Sequence, residues 1–485
     1  MAAKGFVRNF KPLDILTEEQ VEEIHRGALD VLEVTGVRVD SERALKIYEK
    51  GGCVVDYEDH RVRFPPGLVV QCIRQCPPSF HMKALDPKND LIVGGNTVYS
   101  SLFAGMRTVD LDTWETRTPT VQENHDACKV ADGLENVHAS TSYTPYCELK
   151  GVPPPMLLPT TTWSRLKYFS KISRVGTTMS SHIWEIQMAQ ALGVDVYGAV
   201  EAPPPLGWNE DATDCGIACA EAGFPVEPGC GGAMGGTHPA TLAGALVTGV
   251  AEVMSGIVLV QLVRSGNPII VNAFDFPLNM RTGDFRFGAM GVYLFAAAWN
   301  QFWRTTYGIP IMNGGPGPTN SKSIDFQCGY EKSIGVLLCA LSGANIINYV
   351  GGLTAELVYH PVLSVLDDDV AGYIGRFLEG MNVNEETLAI DLINETGPIP
   401  GFYLNKAHTR KWWMLEQFLP LAADMSTYPE WLKTGKKSAL DHAKERADEL
   451  LAGWESKLPP GKEEELDKIL EDCRQYYKKK GLISD

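Results

Sequence analysis

Residues 240–276 read ATLAGALVTGVAEVMSGIVLVQLVRSGNPIIVNAFDF. The first 25 positions carry apolar residues at helical spacing, Ser265 to Pro268 breaks the run, and Ile269-Ile270-Val271 then has the form of a short buried strand. Pro277 and Gly283 mark the loop that follows. A long apolar helix feeding a short apolar strand is the unit of a parallel α/β fold. Phe274, Asp275, Phe276, Asn279 and Arg281 therefore fall at a strand's carboxyl end, where such folds place their chemistry.

The same unit recurs on both sides. VQENHDACKVADGLENV leads into HASTSYTP, TWSRLKYFSKI into RVGTTMSS, and HIWEIQMAQALG into AVEAPPPLGWN. Downstream, a helix through 288–307 precedes PIMNGG, and one through 326–342 precedes ANIINYVGG. Helix and strand alternate at barrel spacing, so the expected architecture is a (β/α)8 TIM barrel over 121–425. Ahead of it, Thr17-x-x-Gln20 opens an amphipathic helix that stops at Gly36, a second helix spans about 41–50, and residues 53–118 alternate apolar and polar positions as short strands do. Residues 1–120 are expected to form an α+β cap. The Lys-, Glu- and Leu-rich stretch 426–485 is expected to add solvated helices on the outside.

Composition narrows the partners. A formal charge of −17 over 485 residues argues against nucleic acid or an anionic membrane, both of which need clustered Lys and Arg. The eleven cysteines show no Cys-x-x-Cys pair and no zinc spacing, and read as buried thiols of a cytoplasmic protein. No stretch gives 18 apolar residues free of polar interruption. The partner is expected to be a small molecule or another protein, and no metal site is read.

The strand ends collect aromatic rings: Tyr143 and Tyr146, Trp208, Phe274 and Phe276, and Tyr349, with Tyr99 reaching in from the cap. Any one ring is more often simply a core or rim residue. Together, rings with few charges suit a quaternary ammonium group, which has no N–H to donate and is held by cation–π and dispersion contacts. Arg281 stands near enough to hold a carboxylate, or to pair with Asp284 or Asp275. His238, just before Pro239, is a second cationic candidate, though a capping or packing role is the commoner one for such a residue. The glycine runs GCGGAMGG and NGGPGP match no phosphate-binding spacing and instead allow close approach of bulky groups. Hydrolase, zinc-protease and corrinoid-binding signatures do not occur.

Several stretches taken together resemble the trimethylamine methyltransferase superfamily: THPATLAGALVTGVAEVMSGIVLVQLVRSGNPII, NMRTGDFRFG, TNSKSIDFQCGYEKSIGVLLCALSGANII, LDDDVAGYIGRFLEGMNVNEETLAIDLI, and FYLNKAHTRKWW with YPEWLKTG. The resemblance covers roughly residues 15 to 455. It implies a barrel that passes a methyl group from an amine to the cobalamin of a separate corrinoid protein, binding no cofactor itself. Some members carry pyrrolysine; this chain resembles those that lack it and demethylate quaternary amines such as glycine betaine, proline betaine or carnitine. Asn348-Tyr349 stands where relatives often have His-Gly, so these two residues join the candidate substrate contacts. The resemblance also implies a cognate corrinoid partner, and a homo-oligomer is expected. Trimethylamine is expected to be left untouched, because a ring cage offers no partner for its N–H. The alternatives are corrinoid-dependent transfer from another methylated compound and a non-catalytic betaine-binding barrel.

Overall fold

The computed structural model describes residues 5–484. Eight parallel strands form its centre: β1 (Thr97–Leu102), β2 (Val137–Ala139), β3 (Ser173–Val175), β4 (Val196–Ala202), β5 (Val226–Cys230), β6 (Val271–Ala273), β7 (Ile311–Asn313) and β8 (Ile346–Val350). Each pairs with the next from β3 to β8, and β8 pairs with β1, setting Ile346 against Tyr99. β1 pairs with β2, and a bridge between Ala139 and Ile172 closes the ring. The chain is a (β/α)8 barrel, as the alternation predicts.

Eight helices surround it: α1 (Val121–Gly133), α2 (Leu157–Tyr168), α3 (His182–Leu192), α4 (Glu210–Ala222), α5 (Leu242–Val263), α6 (Met290–Thr306), α7 (Phe326–Ser342) and α8 (Pro361–Leu378). Polar caps start several of them; the Thr120 side chain accepts from the Glu123 amide, Asn209 from Ala212 and Asp325 from Cys328. α5 is apolar on every face and long enough to cross a membrane. Its packing explains this: the barrel lies on one side, while the helices Glu18–Asp30, Glu42–Lys50 and Pro66–Ile73 cover the other.

The barrel occupies 97–378, earlier at both ends than the expected 121–425. Thr97–Leu102 alternates Val and Tyr with Thr and Ser and reads as a cap strand, yet it is β1. After α8 the segment 381–433 contains four short helices, Glu385–Leu388, Ile390–Thr396, Ala407–Trp412 and Tyr428–Lys433, none of which buries a residue. Helices Ala439–Ala452 and Lys462–Lys479 then pack on the barrel's outside, against α1 and α8 and against α2 and α3. In the cap, Gly207–Trp208 joins a four-stranded sheet beside Val37–Val39, so Trp208 lies in that sheet and not at the mouth. A hairpin, Ser79–Met82 with Leu91–Gly94, plugs the barrel's amino-terminal end.

Candidate functional site

Side chains alternate in and out along a strand, and inside the barrel the two-residue step separates a dry floor from a polar mouth. Tyr99, Ala139, Ile172, Tyr197, Ile270, Met312 and Ile346 form the floor with the plug residues Met82, Leu91 and Val93. Moving toward the carboxyl ends, Ile172 is followed by Arg174, Ile270 by Asn272 and Phe274, Ile346 by Asn348, and Tyr197 by Glu201. These upper residues line a cavity of about 50 Å³ together with Phe103, Ala104, Thr141, Tyr143, Gly314 and Glu356.

Charge dominates this cavity. Arg174 Nη2 lies 2.8 Å from Glu201 Oε1, and its Nε lies 2.6 Å from Glu227 Oε2. Burial works against the guanidinium's charge, but Glu227 and Glu201 overcome it and hold Arg174 firmly cationic. Burial pushes the Glu227 carboxyl up to about 8 despite the pull of Arg174. Glu356 stands where water reaches it. Even so, desolvation and then the charge of Glu201 raise its carboxyl to about 7, against Arg174. One cation thus faces three carboxyl groups, where few charges were expected. Asn348 Nδ2 is 3.4 Å from Met312 Sδ, while its Oδ1 is buried without a hydrogen-bond partner.

Each mouth residue is held from behind. Glu356 follows Thr354 and Ala355, both in the left-handed region, with φ of 53° and 59°. That conformation is costly for residues with a side chain and persists only where surrounding bonds impose it. Here the Ala355 amide donates to Thr319 O at 2.7 Å and Thr354 to Ser321 O at 3.0 Å. Buried Arg165 donates to Ser142 O and Thr144 O, at 2.8 and 2.9 Å, fixing the loop that carries Tyr143. The glycine run NGG has its reason in Phe274: a Cβ at Gly314 would stand 2.8 Å from that ring.

Of the residues expected at the site, the structure brings Tyr143, Phe274 and Asn348 to the cavity. The others lie elsewhere. Tyr99 is on the floor, its hydroxyl accepting from the Ile92 amide at 3.2 Å and donating to Ile92 O at 3.0 Å. Phe276 is buried behind Phe274, with its ring 4.2 Å from that of Phe287. Tyr349 follows Asn348 and so faces outward, where its hydroxyl meets Ser100 Oγ at 3.0 Å. Arg281 sits on an exposed loop and does not line the cavity. Tyr146 is buried toward the helices, with its hydroxyl near Thr108 Oγ1. His238 is a buried link, 2.6 Å from Asp275 Oδ1 and 3.2 Å from Glu252 Oε1. Burial opposes its charge, but those two carboxylates raise it to about 10. It ties the GCGGAMGG loop to α5 and to the end of β6, and Gly232 makes room for its ring.

Arg174, Glu201, Glu356 and Asn272 were not anticipated. For the first two a signal exists: in KISRVG and VYGAVEA a charge stands two or four places after a floor residue. Glu356 lies in a loop, where no periodicity points.

The sequence matches the family described as Trimethylamine methyltransferase (MTTB) over residues 1–475. It is 30% identical to a glycine betaine methyltransferase of Desulfitobacterium hafniense, covering 94% of this chain and 96% of that one. A trimethylamine methyltransferase of the same species is 28% identical, covering 95% and 94%. One from Methanosarcina thermophila is 28% identical, covering 94% and 96%.

Proposed function

The chain belongs to the trimethylamine methyltransferase family, and from that premise we propose that it moves a methyl group from a quaternary amine to the cobalt of a corrinoid carried by a separate protein. The observation that carries this reading is the cavity itself: the faces of Phe103, Tyr143 and Phe274 beside the carboxyl groups of Glu201 and Glu356, at the open end of a closed barrel. Rings attract an ammonium through their quadrupoles, and carboxylates attract it through charge.

Reduced cobalt on the partner supplies the nucleophile. The methyl–nitrogen bond breaks, its electron pair stays on nitrogen, and a neutral tertiary amine departs, so no proton has to be delivered. Positive charge on nitrogen fades along the way, so Glu201, Glu356 and the rings hold the starting ammonium better than the transition state. Their contribution is capture and alignment of the methyl toward the open mouth, and alignment supplies the rate. The carboxyl groups also remove one reason for excluding trimethylamine, since Glu201 or Glu356 offers an acceptor to an N–H.

The rim suits docking of an apolar macrocycle on a partner. Met280 is 77% exposed and Phe326 86%, and Met106, Met179, Phe285 and Leu357, also exposed, lie like them on segments that follow barrel strands. The partner's corrinoid is then the acceptor, and no residue of this chain is assigned to bind one permanently.

A second copy of the chain fits a different face. Met381, Ile399 and Leu404 are 83%, 96% and 85% exposed on the segment that begins where α8 ends, away from the mouth. Residues 381–400 carry four acidic side chains and no Lys or Arg, while 401–437 carry six Lys or Arg against three acids. A two-fold pairing sets the acidic half of one copy on the basic half of the other. Sedimentation of the full chain should give a dimer or larger that Ile399→Asp with Leu404→Asp dissociates; a monomeric wild type would remove this reading.

The functional proposal is tested by mixing purified protein, reduced cobalamin and a panel of quaternary amines, and following methylcobalamin by absorbance. No methyl transfer from any of them, with or without a corrinoid protein, would overturn it.

A further inference from the structure

We propose that the corrinoid-carrying partner docks an acidic face on the hairpin after β6 and the loop after β7, where this chain presents unpaired cations beside the barrel mouth. This rests on the functional reading above, which requires such a partner, and adds the place and the charge by which it binds.

Both segments adjoin the cavity. Residues 278–285 form a short hairpin: Leu278 bridges Phe285, and the Asn279 amide donates to Asp284 O at 2.8 Å. Just past it, the Phe287 ring lies 6.4 Å from that of Phe274, which lines the cavity. In the loop after β7, Thr319 O and Ser321 O accept from the Ala355 and Thr354 amides and so hold Glu356 in place. Lys322 is the next residue. A protein seated on these segments therefore stands beside the open end of the barrel.

Arg281 stands at the tip of the hairpin, Arg286 at its base and Lys322 on the neighbouring loop. All three are exposed, and among the described residues none of them forms an ion pair. Arg286 and Lys322 line one groove of about 470 Å³ together with Asn279, Asp284, Phe285 and Asn320. Two acids are close by. Asp325 is committed to capping α7, accepting from the Cys328 amide at 2.9 Å and from Ser321 Oγ at 2.8 Å. That leaves Asp284 against three cations. In the loop after β1, by contrast, Arg107 and Arg117 are paired with Glu148 and Glu123, each at 3.0 Å.

A chain of formal charge −17 repels an acidic protein overall, so a local positive patch fixes the face by which such a partner approaches. The apolar neighbours of the patch point to a protein: Met280, Phe285 and Phe326 are exposed among its cations, and Met, aromatic residues and Arg are what interfaces collect. Exposed ion pairs contribute little affinity one by one, so the patch acts on the rate of encounter and on orientation.

The experiment follows methyl transfer from a quaternary amine by the full-length protein to two kinds of acceptor: free reduced cobalamin, and each corrinoid protein of its own cell loaded with cobalamin. Arg281→Glu, Arg286→Glu and Lys322→Glu combined should lower kcat/KM for the accepting corrinoid protein by about tenfold or more at low salt, and change turnover with free cobalamin by less than about twofold. Added salt should slow the wild type with the protein acceptor and affect the combined variant much less. Asp284→Lys, which enlarges the patch, should raise kcat/KM for the protein acceptor. Equal losses with both acceptors would overturn the inference, as would an unchanged kcat/KM for the corrinoid protein, or transfer to free cobalamin while no corrinoid protein accepts; in each case the methyltransferase reading stands. Transfer to neither acceptor by the wild type overturns that reading and this inference with it.

Discussion

The rings of Phe103 and Phe274 lie 6.3 Å apart at the barrel mouth with their planes inclined by 26°, one following β1 and the other β6. Both rings line the cavity, and Phe274 depends for its position on Gly314, where a Cβ would stand 2.8 Å from the ring. Each face contributes about 0.5–2 kcal/mol to holding a desolvated ammonium.

Phe274→Ala should therefore raise KM for a quaternary amine by about 2- to 30-fold, the range that ~0.5–2 kcal/mol gives, with a smaller change in kcat. Tyr99→Phe is the control. It removes a hydroxyl bonded to the Ile92 backbone on the floor and should cost about 1–3 kcal/mol of stability, leaving KM unchanged. Steady-state kinetics and denaturant unfolding separate the two. A rise in KM for Tyr99→Phe as large as for Phe274→Ala would move the binding site to the floor.

Glu356 makes capture of the ammonium depend on pH. Its carboxyl is raised to about 7, first by desolvation and then by Glu201. Below that value it is neutral and attracts the cation weakly; above it the charge is present. KM for a cationic donor should fall as pH rises from 6 to 8, and the Glu356→Gln variant should lose that limb while keeping kcat. A KM profile identical in the variant would assign the titration to another group.

His238 couples stability to pH in the opposite sense. Its value rises from an ordinary 6.5 to about 10 in the folded chain, because Asp275 and Glu252 outweigh its burial. A raised value means the folded state binds the proton more tightly than the unfolded state. The stabilisation is fully present below about 6.5 and disappears as pH rises through about 10. The difference in Tm between wild type and His238→Gln should shrink steadily between pH 7 and 10. A difference that grows over that interval would show that the imidazole is neutral in the folded protein.

Most of the architecture was legible in the sequence because the helix and strand periods alternate from residue 121 onward. β1 escaped, since TVYSSL puts serines and a threonine among apolar residues and resembles the cap strands before it. Phe274 is legible by following a strand to its end and Asn348 through the family resemblance, and both line the cavity, whereas the two-residue step of the strand turns Tyr349 outward. Arg281 illustrates the limit of adjacency: seven residues after Phe274 the chain has already left the mouth for an exposed loop. Glu356 requires three dimensions, since its position depends on the backbone bonds that Thr354 and Ala355 donate to Ser321 and Thr319.

The most direct measurement of the central claim is a single-turnover reaction with a quaternary amine carrying a ¹³C label on its N-methyl groups, purified protein and reduced cobalamin. The account predicts labelled methylcobalamin and one equivalent of the corresponding tertiary amine, both lost on boiling the protein. Tertiary amine without labelled methylcobalamin, or neither product from any quaternary donor, would contradict it.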